Sequence, residues 1–471
     1  MGTNYQKDFF RQLSETMQKF DNLQKEFTDF KVAANKEIDR LNDRVGVLEK
    51  ENKQLKTENE KLKDIINKNS SNSSKPPSSD GFTKIENSRE KTGRKPGGQP
   101  GHKGFKPKLY ENPTKIIDFK RKKCFCGGHL KYDEKYTAKQ LVDVEVKTHI
   151  EEYREYSGVC ECCGAQIENE APLNDIVTYG SNLKAVCSML TSEGCVSINR
   201  TRQMVSELTG GVINLSEGTI AKWVRDLAER VAPALGKIKE KLLVSPVLNK
   251  DETGVRVGKT LNWFHVLSNK SHTLYYSHKK RGNEADKAAD VLPAFGGVLV
   301  HDHLKGLYDF KCAHAECNAH ILRYLKAAVE SKGRKWAQDM LDLLLWAKSG
   351  GEINKVFKRY DKILKAGQKE FLKDEAPDYN GDDMKLFRRM REYKAEHLRF
   401  VTDKDVPFDN NQAERDLRMI KAKTKISGCF RAEDGGEIFA HIKSYTSTLR
   451  KNHMNIFREI KNAFLLKPAF C

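Results

Sequence analysis

The chain has 471 residues, 32% charged and 38% hydrophobic, with a formal net charge of +19. That length exceeds the roughly 250–300 residues over which a single core grows, so several domains are expected, and a cation excess of this size favours a polyanionic partner such as nucleic acid. No apolar run reaches the roughly 18 residues that a membrane span needs, and the first residues lack the apolar segment of an export signal; a cytoplasmic protein without a membrane partner is expected.

Residues 1–68 read as a coiled-coil dimerisation stem. Phe10, Leu13, Met17, Phe20, Phe27, Ala34, Ile38, Leu41, Val45, Leu48, Leu55, Leu62 and Ile66 follow a seven-residue repeat. Asn52 and Asn59 fall on its a positions, where a buried Asn selects a parallel dimer in fixed register, so a homodimer is expected. Residues 69–110 are rich in Pro, Gly and Ser and cannot bury enough surface to offset chain entropy; they read as a basic disordered linker, with Arg94, Lys95 and Lys103 as candidate DNA contacts.

Residues 111–175 hold two cysteine knuckles, Cys124-Phe-Cys126-Gly and Cys160-Glu-Cys-Cys163-Gly, with an alternating stretch between them that reads as strands. Eleven cysteines in a cytosolic chain suggest metal before disulfides. Cys124, Cys126, Cys160 and Cys163 would close a structural Zn²⁺ site; the first pair is one residue short of the usual spacing, so Cys162 or His129 could substitute, and unliganded thiols are the alternative. Residues 176–240 read as helices. One runs to Leu208 before Gly210-Gly211, and a second opens at Ser216 with a capping pattern and carries Lys222 and Arg225 on its polar face. This is a helix-turn-helix-like arrangement, or an ordinary helical hairpin.

Residues 241–430 carry the candidate chemistry. The stretch Val247-Leu-Asn-Lys-Asp251-Glu252-Thr253-Gly-Val-Arg-Val257 is a strand interrupted by two acids, and a buried carboxylate needs compensation, most simply a cation. Two further strands, an amphipathic helix over 284–295 and the strand Gly297–Asp302 follow. That order is RNase H-like and sets Asp302 beside Asp251, because adjacent strands lie about 4.8 Å apart. Glu414 shares a helical face with Asn410, Asn411 and Arg418 and would complete the site; Asn411, Arg415, Arg418 and Lys421 are candidate DNA contacts. Asp251, Asp302 and Glu414 could hold two Mg²⁺ (or Mn²⁺) ions for in-line displacement at phosphorus. Glu252 and Thr253 are read as holding Asp251 in place, and Asp290 as solvated surface. Residues of about 321–400 form a helical insertion in this domain, and 431–471 a C-terminal helical segment. Cys317-x-x-His320, near the insertion's start, reads as core packing or as a metal pair.

Several segments together resemble the IS66-type insertion-sequence transposases: the zipper stem, Ser73-Ser-Lys-Pro-Pro-Ser-Ser-Asp80, Gly97-Gly-Gln-Pro-Gly-His-Lys-Gly104, the two knuckles, Asp251-Glu-Thr253, Val298-Leu-Val-His-Asp302, Cys317-Asn-Ala-His320 and Asp409-Asn-Asn-Gln-Ala-Glu-Arg415. The resemblance implies DDE cleavage and strand transfer with Asp251, Asp302 and Glu414 as the acidic triad, zinc, recognition of element ends and of target double-stranded DNA, and accessory proteins from the same element. The expected fold class is multidomain α+β: coiled coil, zinc-binding module, helix-turn-helix-like region and RNase H-like α/β catalytic domain with a helical insertion. Two other functions fit the same residues, an RNase H-like nuclease without strand transfer and a catalytically inactive DNA-binding regulator.

Overall fold

A computed structural model describes residues 3–67, 101, 107–173, 175–374, 379–465 and 468–470. Arg94, Lys95 and Lys103 lie outside the described residues. The chain divides into two units, Met1–Glu86 with Arg323–Gln338, and Asn87–Leu322 with Asp339–Cys471. No helix among the described residues is long and apolar enough to cross a membrane.

The first unit is dominated by α1 (Thr3–Asn67), one uninterrupted helix of 65 residues, about 100 Å long. The heptad residues Phe10, Met17, Phe20, Ile38, Leu41, Val45, Leu48, Leu55 and Leu62 all face outward, so a single chain leaves its apolar stripe uncovered.

The second unit begins with the cysteine segment. Its paired strands are β1 (Ser157–Val159) and β2 (Gln166–Glu168), an antiparallel hairpin closed by the second knuckle. The alternating stretch 132–153 forms no strand: its side chains are almost all exposed, and alternation without a pairing partner or a covering layer does not build a sheet.

Four helices follow, α2 (Ser181–Ser192), α3 (Ile198–Leu208), α4 (Glu217–Arg230) and α5 (Ala232–Leu243). Ser197 and Ser216 cap α3 and α4, each side chain accepting a backbone N–H three residues on, which supplies part of what the first turn lacks. The apolar face of α4 (Ile220, Trp223, Leu227) is buried, so this helix is part of the main core rather than a free-standing reader.

The central sheet contains β3 (Val247–Val257), β4 (Thr260–Ser268), β5 (Thr273–His278), β6 (Val298–His301) and β7 (Ala313–Glu316) in the order β5-β4-β3-β6-β7. The first three form an antiparallel meander; β6 and β7 run parallel to β3. This mixed sheet among helices is the α+β class expected. Gly297 is required before β6, because a Cβ there would stand 2.6 Å from the Pro246 carbonyl oxygen. The helix expected over 284–295 is shorter: α6 (Asn283–Ala288) gives way to a single 3₁₀ turn at Leu292–Ala294, since Asp290 is left-handed (φ 57°) and Pro293 cannot continue a helix.

After β7 come α7 (Asn318–Lys332), α8 (Lys335–Lys348), α9 (Ile353–Phe371), α10 (Asp382–Glu392), α11 (Lys394–Thr402), α12 (Asn411–Ser427), α13 (Gly435–Lys451) and α14 (Ile456–Leu465). Helices α12 and α13 cover one face of the sheet, where Val255, Val257, Phe264 and Val266 meet Ala413, Leu417, Ile420 and Phe439. The other face, with Leu248, Leu267, Leu274 and Leu299, is covered by Ile238 and Leu242 of α5 and by Val291 to Phe295. Edge strand β5 is not left open. Its Tyr275 and Thr273 N–H groups donate to Ser444 Oγ (2.8 Å) and Thr448 Oγ1 (3.1 Å) of α13, which blocks pairing with another chain.

Candidate active site

Strand β3 places its residues alternately on the two faces of the sheet. Asn249 and Asp251 share the face of Val255, toward α12, and Lys250 and Glu252 share the opposite face with Leu248. The parallel register pairs Asn249 with Val300; continued two residues beyond that pair, it brings Asp302 opposite Asp251. Both acids are half-buried. Burial, then the negative charges of Asp302 and Glu252, push the Asp251 carboxyl up to about 7, although its Oδ1 accepts the Glu252 N–H at 2.8 Å. Two like charges this costly to ionise together are a donor set suited to a divalent cation.

Glu414 lies in the first turn of α12 and is half-buried. The head of that helix is tied to β3 by the fully buried Asn410. Asn410 donates Nδ2 to the Lys250 carbonyl oxygen (2.7 Å) and accepts from Asn249 Nδ2 (2.9 Å), while its N–H donates to Cys317 Sγ (3.2 Å). Glu414 donates its own N–H to the Asn410 carbonyl, so the acid's backbone is one turn from an anchored point. Along α12, Arg415, Arg418 and Lys421 are exposed and Asn411 is half-buried.

Glu252 does more than hold its neighbour. It receives Arg281 Nε at 3.0 Å and stands 3.4 Å from the buried Lys250 ammonium, which also lies 3.4 Å from Asp286 and 3.0 Å from His265 Nδ1. Burial and the Lys250 charge push His265 down to about 2, so it accepts from Lys250 as a neutral ring. Tyr276 donates to Asp286 at 2.5 Å. Lys250, His265 and Asp286 carry no sequence motif; the available signal is a lysine inside a strand, on the same face as the apolar Leu248. Asp290 is exposed, as expected.

A second buried acid, Glu316 at the end of β7, was also missed. It accepts from His303 Nδ1 (2.5 Å), Tyr308 (2.6 Å), Arg389 Nε (2.8 Å) and His397 Nε2 (3.0 Å). Burial raises its pKa, but the hydrogen bonds from His303 and His397 and the Arg389 charge outweigh that and leave it well below the usual carboxylate range. It braces β7 against α10 and α11.

Next to the acids, His320 Nδ1 lies 3.0 Å from Asp302 Oδ1. Burial works against a charged His320, but the adjacent Asp302 and Cys317 outweigh it and carry its pKa up to about 11. Asp302, Cys317 and His320 offer ligand atoms all within 4.8 Å of one another, and this is the grouping of three or more such residues found among the described residues. Neither the four thiols Cys124, Cys126, Cys160 and Cys163 nor the acids Asp251, Asp302 and Glu414 are drawn together in that way. Each knuckle is a tight turn, with left-handed glycines at Gly127 and Gly164 and backbone bonds from the Cys124 N–H to the Gly128 carbonyl and from the Cys160 N–H to the Ala165 carbonyl. On α4, Lys222 is exposed, and Arg225 pairs with Asp434 at 3.2 Å.

A family model described as Transposase IS66 family matches residues 177–438, more than half of the chain, from the end of the cysteine segment into α13. A second, described as a family of unknown function (DUF6444), matches residues 26–108. No curated protein matches the chain.

Proposed function

Because this chain belongs to the IS66 family of transposases, we propose that it binds the ends of an insertion element and catalyses strand cleavage and transfer with Asp251, Asp302 and Glu414. The observation that carries this reading is the parallel register that sets Asp302, just past β6, opposite Asp251 on β3, together with the Asn410 anchor that ties the helix of Glu414 to the same strand. The strand order β5-β4-β3-β6-β7 is the one an RNase H-like catalytic domain requires, and it supports the same assignment.

Divalent ions held by the three carboxylates, Mg²⁺ or Mn²⁺, would activate the attacking oxygen and stabilise the departing 3′ oxygen. The chain's own residues do the rest. Asp251 and Asp302 concentrate negative charge at one point; Asn410 fixes the helix that brings Glu414 to it; and Arg415, Arg418 and Lys421, exposed on that helix, are placed to receive DNA phosphates. Lys222 adds a cation on α4, whereas Arg225 must first leave Asp434. The uncovered apolar stripe of α1 would close on a second copy, giving a dimer that holds two DNA ends. The Cys124, Cys126, Cys160 and Cys163 knuckles would add a structural zinc.

A plasmid assay with a pre-cleaved element end tests the chemistry. Joined products that disappear in Asp251→Asn and Glu414→Gln, with DNA binding retained, are expected. Nicking without joining would mark a nuclease, and unchanged function in both variants would mark a non-catalytic regulator.

A further inference from the structure

We propose that Asp302, Cys317 and His320 form a separate centre for a zinc-class ion, beside the acidic triad and sharing one carboxylate with it. The fold brings the three together for simple reasons. Strands β6 and β7 run parallel with His301 opposite Glu316, so the residues that leave them, Asp302 and Cys317, emerge side by side; the Cys317 N–H donates to the His301 carbonyl at 3.0 Å. The chain then enters the first turn of α7, where the His320 N–H donates to the Cys317 carbonyl at 3.2 Å, and this three-residue step returns the imidazole over the thiol.

The three ligand atoms lie within 4.8 Å of one another, and the Asp302 and His320 atoms are 3.0 Å apart. Bond lengths of about 2.0–2.3 Å place ligands around a tetrahedral zinc roughly 3.3–3.8 Å apart, so small side-chain adjustments would close the site. The donor set is the second argument. A thiolate, an imidazole and a carboxylate suit a borderline-soft ion, whereas Mg²⁺ prefers oxygen alone. Cys317 is wholly buried and its Sγ already accepts the Asn410 N–H at 3.2 Å, the kind of outer hydrogen bond that holds a ligating sulfur in place.

Access is one-sided. The Asp302 side chain is 42% exposed and that of His320 only 12%, so a fourth position would open toward Asp302 and solvent. A carboxylate has two oxygens, so Asp302 can give one to this ion and keep the other for the divalent ions of the triad. An ion here would bridge His320 and Asp302 and so fix Asp302 just past the end of β6.

The test reads metal, not transposition, so its result stands apart from the assay above. Full-length protein is loaded with Zn²⁺ or Co²⁺, and bound metal and the cobalt–thiolate absorption are compared among wild type, Cys317→Ser and His320→Asn. Each variant should lose about one equivalent of zinc per chain and the matching share of the cobalt–thiolate band, while the contribution of the Cys124 and Cys160 knuckles stays. His320→Asn leaves the buried thiol in place, so it remains informative if Cys317→Ser folds poorly. Wild-type metal content and an unchanged cobalt spectrum in a folded variant would overturn the proposal and leave His320 and Asp302 as an ion pair.

Discussion

Asn410 donates its side-chain amide to the carbonyl oxygen of Lys250, 2.7 Å away, and so joins the head of α12 to the strand residue that precedes Asp251. The link crosses 160 residues of sequence. It makes the position of Glu414 depend on a residue that carries no charge.

Asn410→Ala should therefore damage both stability and activity. Removing the amide leaves the Lys250 carbonyl and the Asn249 amide buried without this partner, at a cost of about 2–4 kcal/mol. Loss of the anchor should lower cleavage by on the order of 100-fold even where the protein is folded, because small displacements of a catalytic group are expensive. Thermal unfolding and single-turnover cleavage check the two parts separately. Wild-type cleavage by a folded variant would show that α12 does not need this anchor.

The Lys250 side chain points to the other face, between Glu252 and Asp286. Lys250→Met should destabilise by about 3–5 kcal/mol, since it leaves two buried acids without their shared cation. Glu252 keeps Arg281, so the harm should lie mainly with Asp286, and Lys250→Met combined with Asp286→Asn should recover about 1–3 kcal/mol. Urea unfolding of the single and double variants measures this coupling; additive losses would place Asp286 outside the network.

These two residues also show what a sequence does and does not display. The run Val247–Val257 displays a strand, and an acid in it displays a need for compensation, because both follow from local alternation and desolvation. The two further strands and the acid after β6 are legible for the same reason. The partners of Lys250 come from β4, β5 and α6, and those of Glu316 from α10, α11 and the turns after β6. Such partners are set by tertiary packing, which no spacing rule reaches. The sequence predicts a longer helix than α6 because amphipathic periodicity continues past Asp290, whereas the helical backbone ends before it. The alternation of 132–153 likewise announces a strand that has no partner.

Glu193 at the end of α2 gives a pH signature. Burial pushes its carboxyl up, but the Lys443 charge and hydrogen bond (2.7 Å), the Thr446 hydroxyl (2.6 Å) and the Arg450 charge more than offset this, so its pKa falls below the ordinary value. A carboxyl with a lowered folded pKa adds stability that is full above the unfolded value, about 4.3, and fades as pH falls toward the folded one. Glu193→Gln should thus cost about 2–4 kcal/mol at pH near 7 and progressively less below pH of about 4. Urea midpoints of both proteins across that range supply the check; a gap that stays constant as pH falls would contradict the linkage.

The stem yields a prediction about assembly. In α1 the apolar heptad residues are exposed along a 65-residue helix, and Asn52 and Asn59 interrupt the stripe at a positions. A polar a residue costs stability but penalises pairings that leave its amide without a matching amide, so it favours one register and one stoichiometry. The full chain should sediment as a dimer. Asn52→Leu with Asn59→Leu should raise the melting temperature of the helical signal while broadening the distribution to include larger species, because the apolar variants bury as well in trimers or shifted registers. Both effects are needed to assign the pair a specifying role: a more stable variant that stays strictly dimeric would move that role to the flanking charges, and a wild-type chain that is monomeric at all concentrations would remove the stem from the assembly altogether.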